Sequence, residues 1–317
     1  MTSEIINESA AIRDEGVEDR LRPRGPSRKE SRLRRLLTKK FIIGAGIVAV
    51  ISLFGIFGPF LTQDPRAISN IGLAPPSSEH FLGTTQIGAD VFSQLAYATR
   101  GSLIVGVSVA ALTLFLSAFF GILGAYIGGV VDEAFTLFTN VMLVIPGLPL
   151  VIVIASYIQN KSVFLVIVVL ALTGWPAGAR VLRSQTLSVR NRDYVLGARV
   201  SGEKTWRVIS VEILPNLLPV MSSGFVFATL GAILAEAGLS FVGIGATGAL
   251  TWGTMLADAS SGQALLFGAW WWFAPPGLLI AILGAGLSLI NFSLDEVINP
   301  RLRVHKMPKV EKKAKTA

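Results

Sequence analysis

Side chains able to carry chemistry are sparse in this sequence, and their spacing says more about what is excluded than about a reaction. The 317 residues hold two histidines, His80 and His305, and no cysteine. A His or Cys metal site, a thiolate nucleophile, a disulfide and a histidine-based triad are therefore all out of reach. The run GARVSGEKT, with Gly197, Gly202, Lys204 and Thr205, approaches the phosphate loop G-x-x-x-x-G-K-[ST], but Glu203 intrudes between glycine and lysine. That insertion displaces the lysine from the phosphates, and an Arg-rich connector rather than a strand precedes the run. Glu236 is the one acid well inside an apolar stretch. A carboxylate in hydrocarbon costs several kcal/mol unless it meets water or a partner. Three roles are open to it: a proton relay, a lining group of a polar solute path, or a hydrogen-bond partner for Ser or Thr on a neighbouring helix. Asp132, Glu133, Asp295 and Glu296 fall at the ends of apolar stretches, where water or a basic neighbour satisfies them. No catalytic residue and no metal site are assigned.

The elements that must position these groups are membrane helices. Hydrophobic residues make up 52% of the chain and charged ones 15%, a balance that fits lipid better than water as the surrounding solvent. The apolar residues fall into six blocks, Phe41 to Leu61, Leu103 to Tyr126, Ala134 to Tyr157, Val163 to Leu182, Leu217 to Phe241 and Trp271 to Leu294. Each is about the length an α-helix needs to cross a bilayer core. The fold class expected is all-α integral membrane, with six transmembrane helices and both termini on one side.

Basic residues mark which side. Of 28 Lys and Arg, eleven lie in Met1 to Lys40, seven in Arg180 to Arg207 and seven in Arg301 to Ala317. Lys and Arg are retained on the cytoplasmic face during insertion, so both tails and the Arg180 to Arg207 stretch are read as cytoplasmic. The net charge of +8 is thereby a topology signal rather than a nucleic-acid footprint. The chain divides into a basic N-terminal tail (1–40), a first span with an external loop (41–100), a core (101–297) and a basic C-terminal tail (298–317). The first span is expected to be an uncleaved anchor. Arg20 to Lys40 reads as disordered in its first half, with Ser31 to Lys40 able to lie as a basic helix on anionic lipid.

Between the fourth and fifth spans, Arg183 to Asn216 is too polar for lipid and too long for a turn. Tyr194, Val195, Ala198 and Val200 predict a first short amphipathic helix, Gly202 a hinge, and Trp206, Val208, Ile209 and Val211 a second helix ending near Leu214 and Pro215. Two angled helices with an exposed Trp and mixed charges form a knob that a groove on a soluble partner could grip; a loop lying along the membrane surface is the other reading. Pro146 and Pro149 break the third span, which makes it either a path-lining element, together with Asn140, or a packing kink. Gly124 and Gly128 predict close helix packing. Trp270, Trp271 and Trp272 read as an aromatic belt at the outer interface rather than a sugar-stacking platform.

The run D-Y-V-x-x-A-R-x-x-G followed by I-L-P-N, carried by Asp193, Tyr194, Val195, Ala198, Arg199, Gly202, Ile213, Leu214, Pro215 and Asn216, resembles the EAA loop of binding-protein-dependent ABC importer permeases. The segments Phe81 to Gly106, Gly124 to Glu133, Ala235 to Gly245, Trp252 to Leu256 and Asn299 to Arg303 are similar to second-subunit permeases of the dipeptide, oligopeptide and nickel branch. Departures are Leu196 and Gly197 ahead of Ala198, Glu203 after the glycine, and Ala89 and Gln94 where the external motif usually carries Arg. The last two changes are expected to alter contact with a binding protein or solute.

What the resemblance implies is a type I importer (MetI-like) permease fold with cytoplasmic coupling helices, in a prokaryotic inner membrane. The implied partners are a homologous permease, two ABC ATPase subunits, an extracytoplasmic solute-binding protein and membrane lipid. ATP and Mg would be bound by the ATPases, with no cofactor and no enzymatic activity in this chain. The implied ATPase-coupling residues are Ala198, Gly202, Glu203, Lys204, Thr205, Trp206 and Arg207, with Trp206 as apolar anchor and Lys204 and Arg207 as rim. Glu236, Pro146 and Asn140 are the path candidates. Peptides are the expected solute, with oligosaccharides or metal chelates as alternatives on the same machinery. A stand-alone secondary carrier would show inverted repeats and several buried ionisable groups, neither of which the sequence has; a membrane scaffold would share the hydropathy.

Overall fold

The computed structural model describes residues 38–158 and 162–298. The readings of both tails, of Lys161, of the Asp295 and Glu296 side chains and of Asn299 to Arg303 lie outside the described residues.

Apolar length dictates the architecture. Helices α1 (Lys39–Leu61), α2 (Val91–Ile127), α5 (Val163–Val189), α7 (Thr205–Phe241) and α9 (Trp270–Ile298) are long and apolar enough to cross a membrane. Helices α3 (Gly129–Val144) and α4 (Gly147–Ser156) are together long and apolar enough for a sixth crossing, either as one span broken by an 83° bend at Ile145 and Pro146 or as a re-entrant loop. Short helices α6 (Asp193–Val200) and α8 (Trp252–Ser261) sit in the connectors on either side of α7.

At the centre is α2, packed against α1, α5, α7 and α8. It starts where Asp90 caps it, accepting from the Ser93 N–H at 2.7 Å. Its path bends through a π-helical turn, Phe119–Leu123, before ending at Ile127. Gly128 and Gly129, at φ +76° and +56°, then reverse the chain into α3, a backbone that L side chains rarely adopt. The expected pairing of Gly124 and Gly128 on one helical face is therefore corrected. Gly124 does pack closely, against Phe135, but Gly128 is a turn residue. A close small-residue contact lies instead between α1 and α9, where a Cβ on Gly44 would come 2.6 Å from the Gly286 carbonyl. Nearby, Thr38 and Ser293 share a 2.7 Å hydrogen bond, so the start of α1 and the last turns of α9 meet at one end of the bundle. That is also the end at which α2 finishes and α6 lies.

The three tryptophans separate. Trp270 is exposed, Trp271 donates from Nε1 to the Thr84 carbonyl at 3.3 Å, and Trp272 is in the core. Consecutive helical residues point about 100° apart, so three in a row cannot all face one interface. Only Trp270 is left for a belt.

Candidate functional site

The connector between α5 and α7 is shorter than its polarity predicts. Helix α5 runs to Val189, which takes Arg183 and its neighbours into the span helix itself. The second connector helix does not end at Leu214 and Pro215 but continues as α7 to Phe241. A π-helical turn, Val208–Ile213, makes this possible, with the Leu214 N–H donating to Ile209, five residues back. Pro215 has no N–H to give, and the wider turn just ahead of it absorbs the mismatch that would otherwise stop the helix.

Between these helices α6 is held by its buried side. Val195 is wholly buried among Ile122, Tyr126, Leu182, Val208, Ile213 and Leu217. Ala198 is half-buried against the same cluster, while Tyr194 is exposed and Val200 is 89% exposed. Two arginines clamp this region to the end of α2, Arg190 from the end of α5 and Arg199 from α6. The Arg190 Nη1 donates to the Ala125 carbonyl, and the Arg199 Nη2 to the Tyr126 carbonyl at 2.9 Å. The Arg199 guanidinium also lies 4.2 Å over the Tyr126 ring. Cations at carbonyls that have no helical partner are favourable, because the helix dipole ends there. A bidentate pair between Arg183 and Asp132, at 2.7 and 2.8 Å, ties α5 to α3, and so supplies the basic neighbour expected for Asp132.

Beyond the clamp the chain projects into solvent. Gly202 has φ +78° with open space around it, which makes it the hinge between α6 and α7. Ser201 to Arg207 are all exposed, with Trp206 at 68%. Glu203 and Arg207 pair with each other at 3.0 Å across one helical turn. Lys204 precedes the first turn of α7 and Thr205 opens it. The geometry is an apolar tip of Val200, Trp206 and Val211 with a charged rim, on a base that is rigidly bonded to α2 and continuous with α7.

The path candidates fall in two places. Glu236 is 2% exposed on α7 and accepts from the Ser240 and Thr251 hydroxyls at 2.7 Å each, while its Oε2 has no partner among the described residues. In this conformation it faces no open path; it ties α7 to the first turn of α8, where Thr251 also caps that helix in a reciprocal pair with Thr254. The adjacent Trp252 completes the joint, with its N–H on the Ser102 hydroxyl at 2.9 Å. Asn140 and Pro146 are both exposed, on the bent third span. The sequence reading missed Arg180, which reaches from α5 to the Asn140 amide oxygen at 2.9 Å. It lies within the apolar block Val163 to Leu182, but its grouping with the basic residues of Arg180 to Arg207 hid its place in the span helix.

Ala89 is buried at 1% exposure, and Gln94 donates to the Pro65 carbonyl at 3.3 Å. At both positions the residue present packs within the external loop rather than offering a cation to solvent.

A bundle with a broken third span and a clamped, solvent-facing hairpin defines a transport permease of the type I importer class. Residues 117–304 match the family described as binding-protein-dependent transport system inner membrane component, and the chain belongs to that family. The oligopeptide transport system permease protein OppC of Bacillus subtilis is 31% identical over 278 residues, covering 87% of this chain and 90% of its own. The dipeptide transport system permease protein DppC of the same organism is 32% identical, over 85% of each chain. The probable D,D-dipeptide transport system permease protein DdpC of Escherichia coli is 32% identical, covering 82% of this chain and 87% of its own.

Proposed function

We propose that this chain is a transmembrane permease subunit of an ATP-driven, binding-protein-dependent importer of di- or oligopeptides. It forms half of the translocation path with a homologous permease. Two separate ATPase subunits bind the ATP and Mg, and an extracytoplasmic binding protein delivers the solute. The names of the relatives support the solute class. The observation that carries the mechanism is the exposed tip from Ser201 to Arg207 on a base bonded to α2 and continuous with α7. A groove on each ATPase grips such a tip, and closure of the ATPase pair moves it as a rigid lever. Because α7 has no break at the tip, displacement there is passed directly to a span, and the bundle switches between two packings. The α6 end is cytoplasmic, in keeping with the six basic residues from Arg183 to Arg207 and with the two basic tails.

The test is solute-stimulated ATP hydrolysis by the reconstituted complex, comparing wild type with a Gly202→Pro, Trp206→Ala double variant in which assembly of the spans is retained. Loss of an interface aromatic costs about 2 kcal/mol or more, so the variant is expected to shed the ATPases or to uncouple hydrolysis from uptake. Peptide uptake that persists without any ATPase would make the chain a stand-alone carrier and end this reading.

A further inference from the structure

Arg180 places a charge partway along a helix long and apolar enough to cross a membrane. It lies ten residues before Arg190 along α5, about 15 Å at helical rise, while Arg190 itself marks the α6 end through its bond to Ala125. Its partner Asn140 is a similar distance along α3 from the Gly128 turn. Both side chains are exposed in this subunit. A guanidinium at that depth must face water or another polar group.

Two neighbouring features indicate water. Immediately beyond Asn140 the helix breaks at Ile145 and Pro146, and non-helical backbone is tolerated within a membrane only where it is covered by protein or lines a water-filled space. Beside Arg180 is a cavity of about 240 Å³, lined among others by Phe120, Thr139, Asn140 and Arg183. Its wall includes the π-helical turn of α2, a local widening often found at functional sites.

Charge accounting within the site favours a transient anion. Arg183 is neutralised by the bidentate contact with Asp132. Arg180 has no carboxylate at ion-pair distance among the described residues, and its one side-chain acceptor is a neutral amide that fixes the guanidinium while leaving donors unspent. A carboxylate is the group that this fork matches best.

We infer that Arg180, oriented by Asn140, is a carboxylate-recognition station on the translocation path, receiving the C-terminal carboxylate of a transiting peptide. This rests on the importer reading above. The experiment is uptake by the complete reconstituted complex with its binding protein, using trialanine and trialanine amide, and reading maximal rate and half-saturating concentration separately alongside ATP hydrolysis. Arg180→Gln is expected to lower the maximal trialanine rate about tenfold, as loss of a charge-assisted bond does, with half-saturation unmoved and the amide's rate unchanged from its wild-type value. Arg180→Lys keeps a cation and is expected to retain at least about half the trialanine rate. Asn140→Asp, which places a carboxylate on Arg180 permanently, is expected to mimic Arg180→Gln. Equal loss for both peptides, or Arg180→Gln failing to assemble where Arg180→Lys assembles, would mean that Arg180 neutralises a fixed carboxylate of the adjoining permease, and the station is overturned with the importer reading intact. An Arg180→Gln complex as fast as wild type on trialanine overturns it equally. A wild-type complex that moves neither peptide removes the importer reading and the station together.

Discussion

Glu236 shows how much a single residue's role depends on what surrounds it. In the sequence it is an acid stranded among apolar residues, open to relay, path or packing roles. In the structure its Oε1 accepts from Ser240 and Thr251, and the side chain is closed off. Glu236→Gln keeps a carbonyl oxygen for both hydroxyls, so it is expected to leave peptide uptake within about twofold of wild type, because a net hydrogen bond between neutral groups differs little from the one replaced. Glu236→Leu strands both hydroxyls and is expected to cost about 1–3 kcal/mol, read as a lower unfolding temperature of the purified subunit complex. Abolished uptake in the glutamine variant, with normal assembly, would identify a proton relay instead.

At the scale of elements, α6 is the clearest case of a short helix made stable by tertiary contacts. Eight residues are too few to hold a helix in water. Val195 and the two arginine clamps supply the rest. Arg199→Ala removes a charge-assisted hydrogen bond worth about 1.5–3 kcal/mol and a cation–π contact worth about 0.5–1 kcal/mol. Amide hydrogen exchange within Asp193–Val200 is expected to quicken by about tenfold or more, with the central turns of α2 and α5 unchanged. Exchange that rises throughout the bundle would mean the clamp stabilises the whole fold rather than the coupling element.

For the whole molecule, the decisive property is which end of the bundle is cytoplasmic. The absence of native cysteine makes the question direct. Ser78→Cys, in the exposed connector ahead of α2, and Ser201→Cys, at the α6 tip, each introduce one thiol at an exposed position. A membrane-impermeant maleimide is expected to label Ser78→Cys in intact cells and Ser201→Cys only after permeabilisation. The reverse pattern would invert the topology and with it the coupling role of α6.

Apolar block lengths alone determined that the chain is a helical membrane bundle with five long spans, and a sixth where the bent pair counts as one, because a bilayer accepts few other solutions. The motif from Asp193 to Asn216 likewise located the solvent-facing hairpin, whose hinge at Gly202 and exposed stretch Ser201 to Arg207 the structure shows. The run of charges hid the boundary between span and loop: Arg180, inside the block Val163 to Leu182, counts with the cytoplasmic cations by charge alone, and Arg183 reads as a loop residue until Asp132 is seen beside it. Pro215 read as a helix end because sequence rules do not foresee the π-helical turn that lets α7 pass through it. The three tryptophans read as one belt because adjacency in sequence is not adjacency on a helix face. Each difference has the same cause: composition reports which solvent a segment can tolerate, whereas the partner of an individual side chain is set by distant segments that only folding brings alongside it.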